Sequence, residues 1–449
     1  MSPSAGSSLF AQRPRSVGCC RLLQPRRCIR ARVVRCREIR FQTQFREYNA
    51  FCCTGLKELG ETAYKEYGPM FRVWLTVLPS VVLLQPEHLQ IILASRKNTE
   101  KMYFYKLLHN FLGEGLITST GRKWRHHRRL IQPMFHLSIL EGFIRTFHDS
   151  ARHLVAKLNN EADLSSINIT LPVNQCVVNI LHEAVLGIPT GSQSTDVSDS
   201  PFRQGKVVVP YRMQHPWLLL DCIYRLTEVA RRELQHQKHI IHFTRKVSKN
   251  KISSSDFGKS AVSGTPQDIP FVDLLLAASE TDETFCEEDV VHELGTFMLA
   301  GQDSVGAALA FSLFELARHP DVQERVVREL NEVFGSDDRT PSLSDLRRLQ
   351  YLEQCIKETL RLYPSVPLMS RTLTEDAKLG KYTIPAGCGV LIAPFATHRL
   401  PGIYPDPEKF DPDRFLVDRV ESRHQYAFLP FSLGPRNCIG ELSHSTWLR

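Results

Sequence analysis

A single cysteine near the end of the chain lies in a loop whose composition suits thiolate chemistry. Cys438 occurs in the stretch Phe431-Ser-Leu-Gly434-Pro-Arg436-Asn-Cys438-Ile-Gly440. Because glycines flank the cysteine, its sulfur can lie in a tight, accessible loop. Arg436, two residues away, carries a permanent charge that favours thiolate over thiol. A buried free cysteine, the usual interpretation of a lone Cys, explains neither the arginine nor the glycines. The loop therefore predicts an activated thiolate.

A carboxylate and a hydroxyl are adjacent in a long apolar segment, Ala300-Gly301-Gln302-Asp303-Ser304. Burying an unpaired Asp is costly and raises its pKa unless the group has a partner or a role. Gly301 would let a bulky flat ligand approach the backbone. A helix irregularity, with Ser304 bonding back to a carbonyl, explains the same residues. The pattern alone leaves both interpretations open.

Basic and paired charges occupy two further segments. Trp124-Arg-His-His-Arg128 is typical of an exposed basic helix face. Glu358-Thr-Leu-Arg361 places opposite charges at i, i+3 on one helix, which by itself is a common solvated ion pair of little energetic value.

Taken together, these motifs resemble the cytochrome P450 family, from about residue 55 to residue 440. The likeness is greatest to family four, on Gly-Leu-Ile-Thr-Ser-Thr-Gly-Arg-Lys-Trp, Phe-Val-Asp-Leu-Leu-Leu and Pro-Asp-Pro-Glu-Lys-Phe-Asp-Pro-Asp-Arg-Phe. The resemblance implies a mainly α fold, one large helical domain with small β-sheets. It also implies haem b between a central helix and the cysteine loop.

The resemblance implies that Cys438 is the metal ligand, an axial thiolate that favours O–O cleavage. Phe431 and Gly434 belong to the same cofactor-binding loop. Ala300 and Gly301 are expected at the haem. Ala300 stands where several fatty-acid hydroxylases carry a Glu bonded covalently to haem, so no covalent link is expected.

Further roles are implied for charged and polar side chains. Trp124, Arg128, Arg371 and Arg436 match contacts to the haem propionates, for which guanidinium donors are well suited. The family's acid–alcohol pair relays protons to bound dioxygen, a role that falls here to Asp303 and Ser304, the latter in place of the commoner Thr.

In the same family, Glu358, Arg361 and the arginine of Pro412-Asp-Arg414-Phe415 form a structural network near the haem loop. These three residues are therefore assigned to structure and not to catalysis.

The implied activity is monooxygenation, the insertion of one oxygen atom of O2 into an aliphatic C–H bond of a fatty acid or other lipophilic molecule. NADPH would supply electrons through a cytochrome reductase, with cytochrome b5 as a second donor, and the basic face at Arg125–Arg129 would meet this acidic partner. The protein is expected to be a monomer at a membrane surface. A haem-thiolate isomerase or peroxide-processing enzyme, and an inactive truncated gene product, are the alternatives.

Composition separates the ends of the chain from its body. Residues 1–40 hold ten of the arginines and one glutamate, while the whole chain has a net charge of +8. The body is thus nearly neutral and does not suggest nucleic-acid binding. The basic segment fits a mitochondrial transit peptide, a disordered tail, a mis-joined exon or an RNA-binding arm. Peripheral attachment to the endoplasmic reticulum is the expected localisation, with mitochondria as the alternative.

Three regions are expected: an Arg-rich tail (1–45), a haem-thiolate monooxygenase domain (46–440) and a divergent end (441–449). Because the chain ends eleven residues after Cys438, we expect it to be less stable than a longer relative and to retain haem poorly. Twelve scattered cysteines without CxxC spacing indicate free thiols in a reducing compartment.

Periodicity, caps and breakers predict the elements that must position these residues. The central helix is expected over Thr284–His319, with a capping box of Thr284 and Glu287. Its apolar middle is long enough to span a membrane, but its glycines and its Asp favour a buried helix. The apolar stretch 215–225 predicts buried core or, alternatively, an exposed element for substrate access or membrane contact. Other expected elements are a helix over Leu56–Tyr67, strands Met70–Leu75 and Ser80–Leu84 around a turn at Pro79, helices Pro320–Phe334 and Ser344–Tyr363, a β-like stretch Lys381–Ile392, and polar loops at 188–205 and 250–268.

Overall fold

A computed structural model describes residues 38–39, 62–75, 78–160, 167–188, 211–212, 215–253, 269–335, 337 and 339–441. The predicted N-terminal tail apart from Glu38 and Ile39, the end beyond residue 441 and most of both predicted polar loops lie outside these residues. The predicted mainly α fold with small sheets is confirmed.

The helices account for most of the described chain. They are α1 (Ala63–Tyr67), α2 (Pro86–Leu93), α3 (His109–Leu112), α4 (Gly121–Ile131), α5 (Leu137–Gly142), α6 (Ile144–Asn159), α7 (Thr170–Ala184), α8 (Asp221–Tyr224), α9 (Glu228–Ser253), α10 (Phe271–Thr281), α11 (Glu287–Arg318), α12 (Pro320–Phe334), α13 (Leu343–Arg348), α14 (Gln350–Leu362), α15 (Pro394–Thr397) and α16 (Val417–Glu421). Short 3₁₀ helices lie at Tyr103–Leu108, Gln132–Phe135, Pro216–Leu219, Pro412–Phe415 and Gln425–Ala427.

Within the described residues, seven strands form two sheets. They are β1 (Glu38–Ile39), β2 (Met70–Leu75), β3 (Leu78–Leu83), β4 (Met369–Thr372), β5 (Ala377–Leu379), β6 (Tyr382–Ile384) and β7 (Gly389–Ile392). The larger sheet has the order β1-β2-β3-β7-β4, and β5 pairs with β6 in the smaller one. Strand β4 runs antiparallel to β7, with Arg371 opposite Val390.

Pro79 does not form the predicted turn. It lies within β3, opposite Trp74 of β2, while the pairing of β3 with β7 begins one residue later, at Ser80. At Pro79 the strand has a neighbour on one side only, so the missing N–H leaves no ladder hydrogen bond unmade there.

The central helix begins later than predicted. Helix α11 is capped by Cys286, whose side chain and backbone share a capping box with Asp289. The hydroxyl of Thr284 instead donates to Asp282 at 2.6 Å. The cap therefore lies two residues after the predicted one, and a weak sulfur acceptor replaces the usual hydroxyl.

Two helices replace the one predicted over Ser344–Tyr363. The chain leaves helical geometry at Leu349, and α14 begins at Gln350. The carboxylate of Glu329, in α12, accepts hydrogen bonds from the backbone N–H groups of Tyr351 and Leu352, at 2.7 and 2.9 Å. This carboxylate satisfies the first donors of α14, so the helix can begin without a cap of its own.

The main core cluster surrounds α11. Leu294, Met298 and Val305 pack there with residues of α7 and α10, Val177 and Leu275 among them. Of the described helices, α11 alone is long and apolar enough to cross a membrane. Its packing between other helices accords with the expectation of a buried central helix.

The apolar stretch 215–225 is partly buried and partly exposed. Leu218 and Tyr224 are buried, whereas Trp217 and Leu220 expose 57% and 58% of their surface. Neither predicted alternative describes the whole stretch, because its short 3₁₀ and α-helical turns direct neighbouring side chains to opposite sides.

Candidate functional site

The cysteine loop is held in place through glycine. Gly434 has φ +82°, and a Cβ there would overlap the carbonyl oxygen of Leu93 at the end of α2. The backbone N–H of Cys438 donates to the carbonyl of Phe431 at 2.8 Å, which closes the loop. At Gly440, by contrast, a Cβ would make only ordinary contacts. Gly434 is thus the glycine that this loop requires sterically.

Helix α4 fixes the loop from a second side. Arg128 donates to the backbone carbonyl of Asn437 at 2.8 Å and to its side-chain oxygen at 2.9 Å. The residue before Cys438 is therefore held by a two-pronged guanidinium contact.

The thiol of Cys438 is accessible but enclosed by protein. Its side chain is exposed at the wall of an internal cavity. Burial raises the pKa of this thiol and the Glu441 carboxylate raises it further, while the backbone N–H of Gly440 and the charge of Arg128 lower it. Because burial is the largest of these effects, the free thiol is protonated at neutral pH, and a metal that binds the thiolate displaces that proton.

Arg436 does not supply the charge that sequence reasoning assigned to the cysteine. Its three guanidinium nitrogens donate to the carbonyls of Thr99, Leu116 and Ser119, at 3.0, 3.2 and 2.6 Å. Its guanidinium carbon lies 4.0 Å from the centre of the Trp124 ring. These three carbonyls and the Trp124 ring fix the orientation of the side chain. Arg128, in its place, is the cation that lowers the Cys438 pKa.

Arg436 and Arg371 belong to a cluster of cations. Arg371 is almost fully buried, and one nitrogen donates to the Ser370 carbonyl at 2.9 Å. Arg436 is half-buried, and burial together with the charge of Arg371 lowers its pKa to about 9. Both guanidinium charges lower the pKa of Lys101, a residue that the sequence analysis did not single out. Lys101 comes close to Arg371 because Glu100 forms a bridge with Thr372. This contact joins distant segments, so no local sequence pattern predicts it.

Helix α11 contributes the opposite wall of the cavity. Ala300, Gly301 and Ser304 line it together with Cys438. Gly301 admits a neighbouring side chain, since a Cβ there would lie 2.7 Å from a methyl of Leu181. The close approach that glycine was expected to permit is therefore made here by α7; the approach of a flat ligand stays a prediction.

Asp303 lies off the lining stripe and is half-buried, not buried as expected. The hydroxyl of Ser304 donates to the carbonyl of Ala300 at 2.7 Å, the back-bonding that was the alternative interpretation of this motif. The structure thus brings Ser304 to the cavity wall and leaves Asp303 beside it.

Buried polar contacts join α4 to α11. His127 and Glu293 are buried, with Nδ1 of the imidazole 2.7 Å from the Glu293 carboxylate. The same carboxylate accepts the backbone N–H of Leu116 at 3.0 Å. Lys123 pairs with Asp289 at 2.8 Å. These contacts set the position of Trp124 and Arg128 relative to the cavity.

The predicted structural network is present. Arg361 donates to both carboxylate oxygens of Glu358, at 2.7 and 2.8 Å, and both residues are fully buried. Arg414 lies 3.4 Å from the same carboxylate. Arg361 also donates to the carbonyls of His398 and Pro407. The network ties α14 to the segment that leads into the cysteine loop.

The chemistry of this site fits one kind of group. An exposed thiol and an apolar helix face line the cavity, and the charge of Arg371 acts on Arg436 of the cysteine loop. A flat apolar ligand with a central metal and two carboxylates matches all three features. A wider surface cleft, of about 730 Å³ along 402–424, contains none of the predicted site residues.

Comparisons with known proteins agree with this geometry. The family model described as cytochrome P450 matches residues 54–442. A probable cytochrome P450 4aa1 of Drosophila melanogaster is 51% identical over 383 residues, 84% of this chain and 74% of the fly protein. Cytochrome P450 4c21 of Blattella germanica is 38% identical over 85% of this chain and 78% of its own length. For cytochrome P450 4V2 of Rattus norvegicus the identity is 37%, over 83% and 73%.

Proposed function

Because the chain belongs to the cytochrome P450 family, a family of haem-thiolate monooxygenases that take electrons from a reductase, we propose that it hydroxylates an aliphatic C–H bond of a fatty acid or similar lipid. The catalytic domain is assigned to residues 46–440. The haem, when bound, supplies dioxygen activation.

The observation that carries the proposal is the accessible thiol of Cys438 at the wall of a cavity whose far side is α11. Cys438 would hold the iron as a thiolate, which requires the loss of the thiol proton. The loop through Phe431 and Gly434 supports this sulfur from behind. The N–H of Gly440, which lowers the thiol pKa, stabilises the charge on sulfur.

The propionates are assigned to the cation cluster. Arg371 is buried and Arg436 half-buried, and Trp124 and Arg128 of α4 contact Arg436 and the cysteine loop. Burial makes an unneutralised charge costly, so a dianion bound among these groups offsets part of that cost. Ala300 and Gly301, which line the cavity, would lie beside the haem.

Proton delivery is assigned to Asp303 and Ser304. Ser304 lines the cavity, and its hydroxyl, which donates to the Ala300 carbonyl, could instead donate to a water in the cavity. Asp303 is half-buried one residue away, within reach of solvent that can resupply its proton. Together they form a general-acid route from solvent to the cavity.

A lipophilic substrate fits the walls of the cavity. Phe135, Ile139, Leu140, Phe143 and Leu181 are among its lining residues. Such a surface binds an alkyl chain through burial of apolar area and offers few groups to a polar substrate. An isomerase or peroxide-processing enzyme would need no reductase and no proton route, so NADPH dependence distinguishes it.

The reductase, and cytochrome b5 as a second donor, are assigned to the exposed face of α4. Arg122, Arg125 and Arg129 are exposed at helical spacing on this face. Arg128, from the same helix, contacts the cysteine loop. An acidic electron donor bound to these arginines would therefore lie near the ligand sulfur.

Attachment to the endoplasmic reticulum is assigned to the exposed apolar side chains of Trp217, Leu220 and Leu226. The side chain of Leu226 is 78% exposed. Exposed arginines follow within the next residues, at Arg225 and Arg231. Apolar side chains bordered by cations are typical of surfaces that enter the interfacial region of a bilayer.

The test uses purified full-length protein. The proposal expects a red-shifted Soret band in the reduced, CO-bound form, and NADPH- and reductase-dependent hydroxylation of a panel of fatty acids. Turnover with peroxide but not with NADPH would replace the monooxygenase by the peroxide-processing alternative. Absence of the CO band would overturn thiolate ligation.

The membrane assignment is tested by binding to lipid vesicles. Binding that is unchanged in Trp217→Glu would overturn it.

A further inference from the structure

The surface cleft of about 730 Å³ is formed by residues 400–424 together with the beginning of α2. Its volume is typical of sites for small molecules, and its lining is rich in charge. The basic side chains in the lining are Lys409, Arg414, Arg419, Arg423 and His424, and the acidic ones are Glu87, Asp406 and Asp411. The contacts of these groups decide which charge the cleft can bind.

Arg414 brings a positive charge that its neighbours neutralise only in part. The side chain is 8% exposed, and its Nη2 donates to the carbonyl of Asp406 at 3.0 Å. Its Nε lies 3.4 Å from the Glu358 carboxylate but has no hydrogen-bond partner among the described residues. Both oxygens of that carboxylate accept hydrogen bonds from Arg361. One buried carboxylate is thus shared by two guanidinium groups, which leaves an excess of positive charge.

Arg423 adds a second guanidinium to the same wall. Its Nη2 donates to the carbonyl of Arg414 at 2.8 Å. Its guanidinium carbon lies 4.6 Å from the centre of the Tyr404 ring and 5.4 Å from that of Phe415. In the part of the chain that the structure describes, Arg423 is held by this carbonyl and these aromatic rings and by no carboxylate. Its charge is therefore fixed in place without a counter-ion.

The remaining basic groups also face little competition from the acids of the lining. Nδ1 of His424 accepts the N–H of Tyr426 at 3.1 Å, so the neutral ring carries its proton on Nε2 and has a donor to offer. Lys409 and Arg419 are exposed. The closest recorded contact of Arg419 with a carboxylate is 3.9 Å, to Asp411, which is too long for a hydrogen bond.

Fixed guanidinium groups without their own carboxylates favour a phosphate, because its oxygens accept paired hydrogen bonds from such donors. Tyr64 and Ile403 also line the cleft and pack against an apolar core cluster. We propose that the cleft binds a small organic phosphate. Its phosphate group contacts Arg414, Arg423 and His424, and its organic part lies against Tyr64 and Ile403.

The primary experiment titrates phenyl phosphate into the haem-bound full chain by isothermal titration calorimetry, at neutral pH and constant ionic strength. Wild type should bind about one equivalent, and more tightly than it binds inorganic phosphate or phenol, which each carry one part of the probe. The Soret band should stay in place, because the cleft contains none of the residues assigned to the haem. Equal affinity for phenyl phosphate and phenol, or a Soret shift on binding, would overturn the proposal.

Two variants should weaken binding. Arg423→Met should lower the affinity for phenyl phosphate about 10- to 100-fold, as expected for lost hydrogen bonds to a charged group, and Arg423→Lys should recover part of it. Because Arg423 also packs on aromatic rings, Lys409→Met/Arg419→Met provides a second test at exposed positions. It should weaken binding about threefold to tenfold, the range for two exposed charges.

Asp406→Asn should have the opposite effect. It removes a negative charge from the lining, so phenyl phosphate should bind about two- to fivefold more tightly, a gain that a damaged fold would not produce. Asn tolerates the positive φ of 48° at this position. Arg347→Met/Arg348→Met is the matched control, since it removes two exposed charges from α13, outside the cleft. Its affinity should equal that of wild type.

Vesicles that contain phosphatidic acid distinguish a free phosphate from a lipid headgroup. Lys409→Met/Arg419→Met should bind these vesicles as wild type does. Loss of vesicle binding in this variant, with unchanged affinity for phenyl phosphate, would overturn the proposal in favour of a lipid site. Equal affinity for phenyl phosphate in wild type, Arg423→Met and Asp406→Asn would also overturn it.

Discussion

Arg128 donates to both the backbone and the side-chain oxygen of Asn437, so a helix more than 300 residues away in sequence holds the residue that precedes Cys438. The same guanidinium is the cation that lowers the Cys438 pKa. One side chain therefore holds the residue next to Cys438 and lowers the pKa of its thiol.

Replacing Arg128 should raise the pKa of Cys438. In the haem-free protein, Arg128→Met removes a cation that favours the thiolate, so the pH midpoint of Cys438 alkylation by iodoacetamide should move upward. The modification rate is followed by mass spectrometry of the peptide that contains Cys438. Arg129→Met, which removes an exposed charge from the same helix, should leave the midpoint in place. Equal midpoints in the two variants would contradict this account of Arg128.

Cys438→Ala should abolish the red-shifted Soret band of the reduced CO adduct, because no thiolate then remains at the cavity wall. Cys222→Ala, which removes an exposed cysteine elsewhere, should keep the band. An unchanged spectrum in Cys438→Ala would show that another group binds the iron.

The two glycines of the loop should respond differently to alanine. Gly434→Ala adds a Cβ at positive φ that overlaps the Leu93 carbonyl, whereas Gly440→Ala adds one with only ordinary contacts near Phe135 and Cys438. We expect Gly434→Ala to lose most bound haem and Gly440→Ala to retain it, measured as haem per chain after purification. Similar haem content in both variants would show that the loop adapts and that the overlap is relieved.

Much of this architecture could be predicted from local signals. Pro320 and Gly335 delimit α12 as expected, because the residues that start and stop a helix lie at its own ends in the sequence. The mainly α fold came from resemblance and not from such patterns. The structural role of Glu358 with Arg361 likewise needed the family, since an i, i+3 pair on its own predicts only a surface contact.

What could not be predicted depends on contacts between distant segments. The orientation of Arg436 is decided by carbonyls more than 300 residues earlier, so proximity to Cys438 in sequence was misleading. The burial of His127 is set by Glu293 of another helix. Asp303 was expected to be buried because its neighbours are apolar, yet a helix rotates each residue by about 100°, and one step moves a side chain off the cavity face.

Buried His398 should make the fold sensitive to acid. Its Nε2 accepts the N–H of Leu429 at 2.7 Å, and burial lowers its pKa to about 3, with the charge of Arg361 adding to the effect. An unfolded histidine titrates near 6.5. The neutral histidine therefore contributes its full stabilisation above about pH 6.5. As the pH falls from there towards the native pKa, the free energy of unfolding decreases by about 1.4 kcal/mol per pH unit.

The check compares His398→Gln, which cannot titrate, with wild type in urea unfolding between pH 5 and 8. Below about pH 6.5, the free energy of unfolding of wild type should fall more steeply with decreasing pH than that of His398→Gln. The difference between the two slopes should correspond to the uptake of one proton on unfolding. His153→Gln, at an exposed histidine, should follow wild type. Parallel curves for wild type and His398→Gln would contradict the assigned neutral state.

Asp303→Asn should separate proton delivery from structure. The amide keeps the size of the side chain but cannot donate a proton as an acid, so product formation should fall by about 10²- to 10⁴-fold, the range for a lost general acid. Haem content and the CO spectrum should stay near wild type, because Asp303 is only half-buried and lies beside the cavity lining. Asp303→Glu keeps an acid at this position and should recover part of the rate. Loss of haem together with activity in Asp303→Asn would instead make Asp303 a structural residue, and the proton route would then have to pass through Ser304 without it.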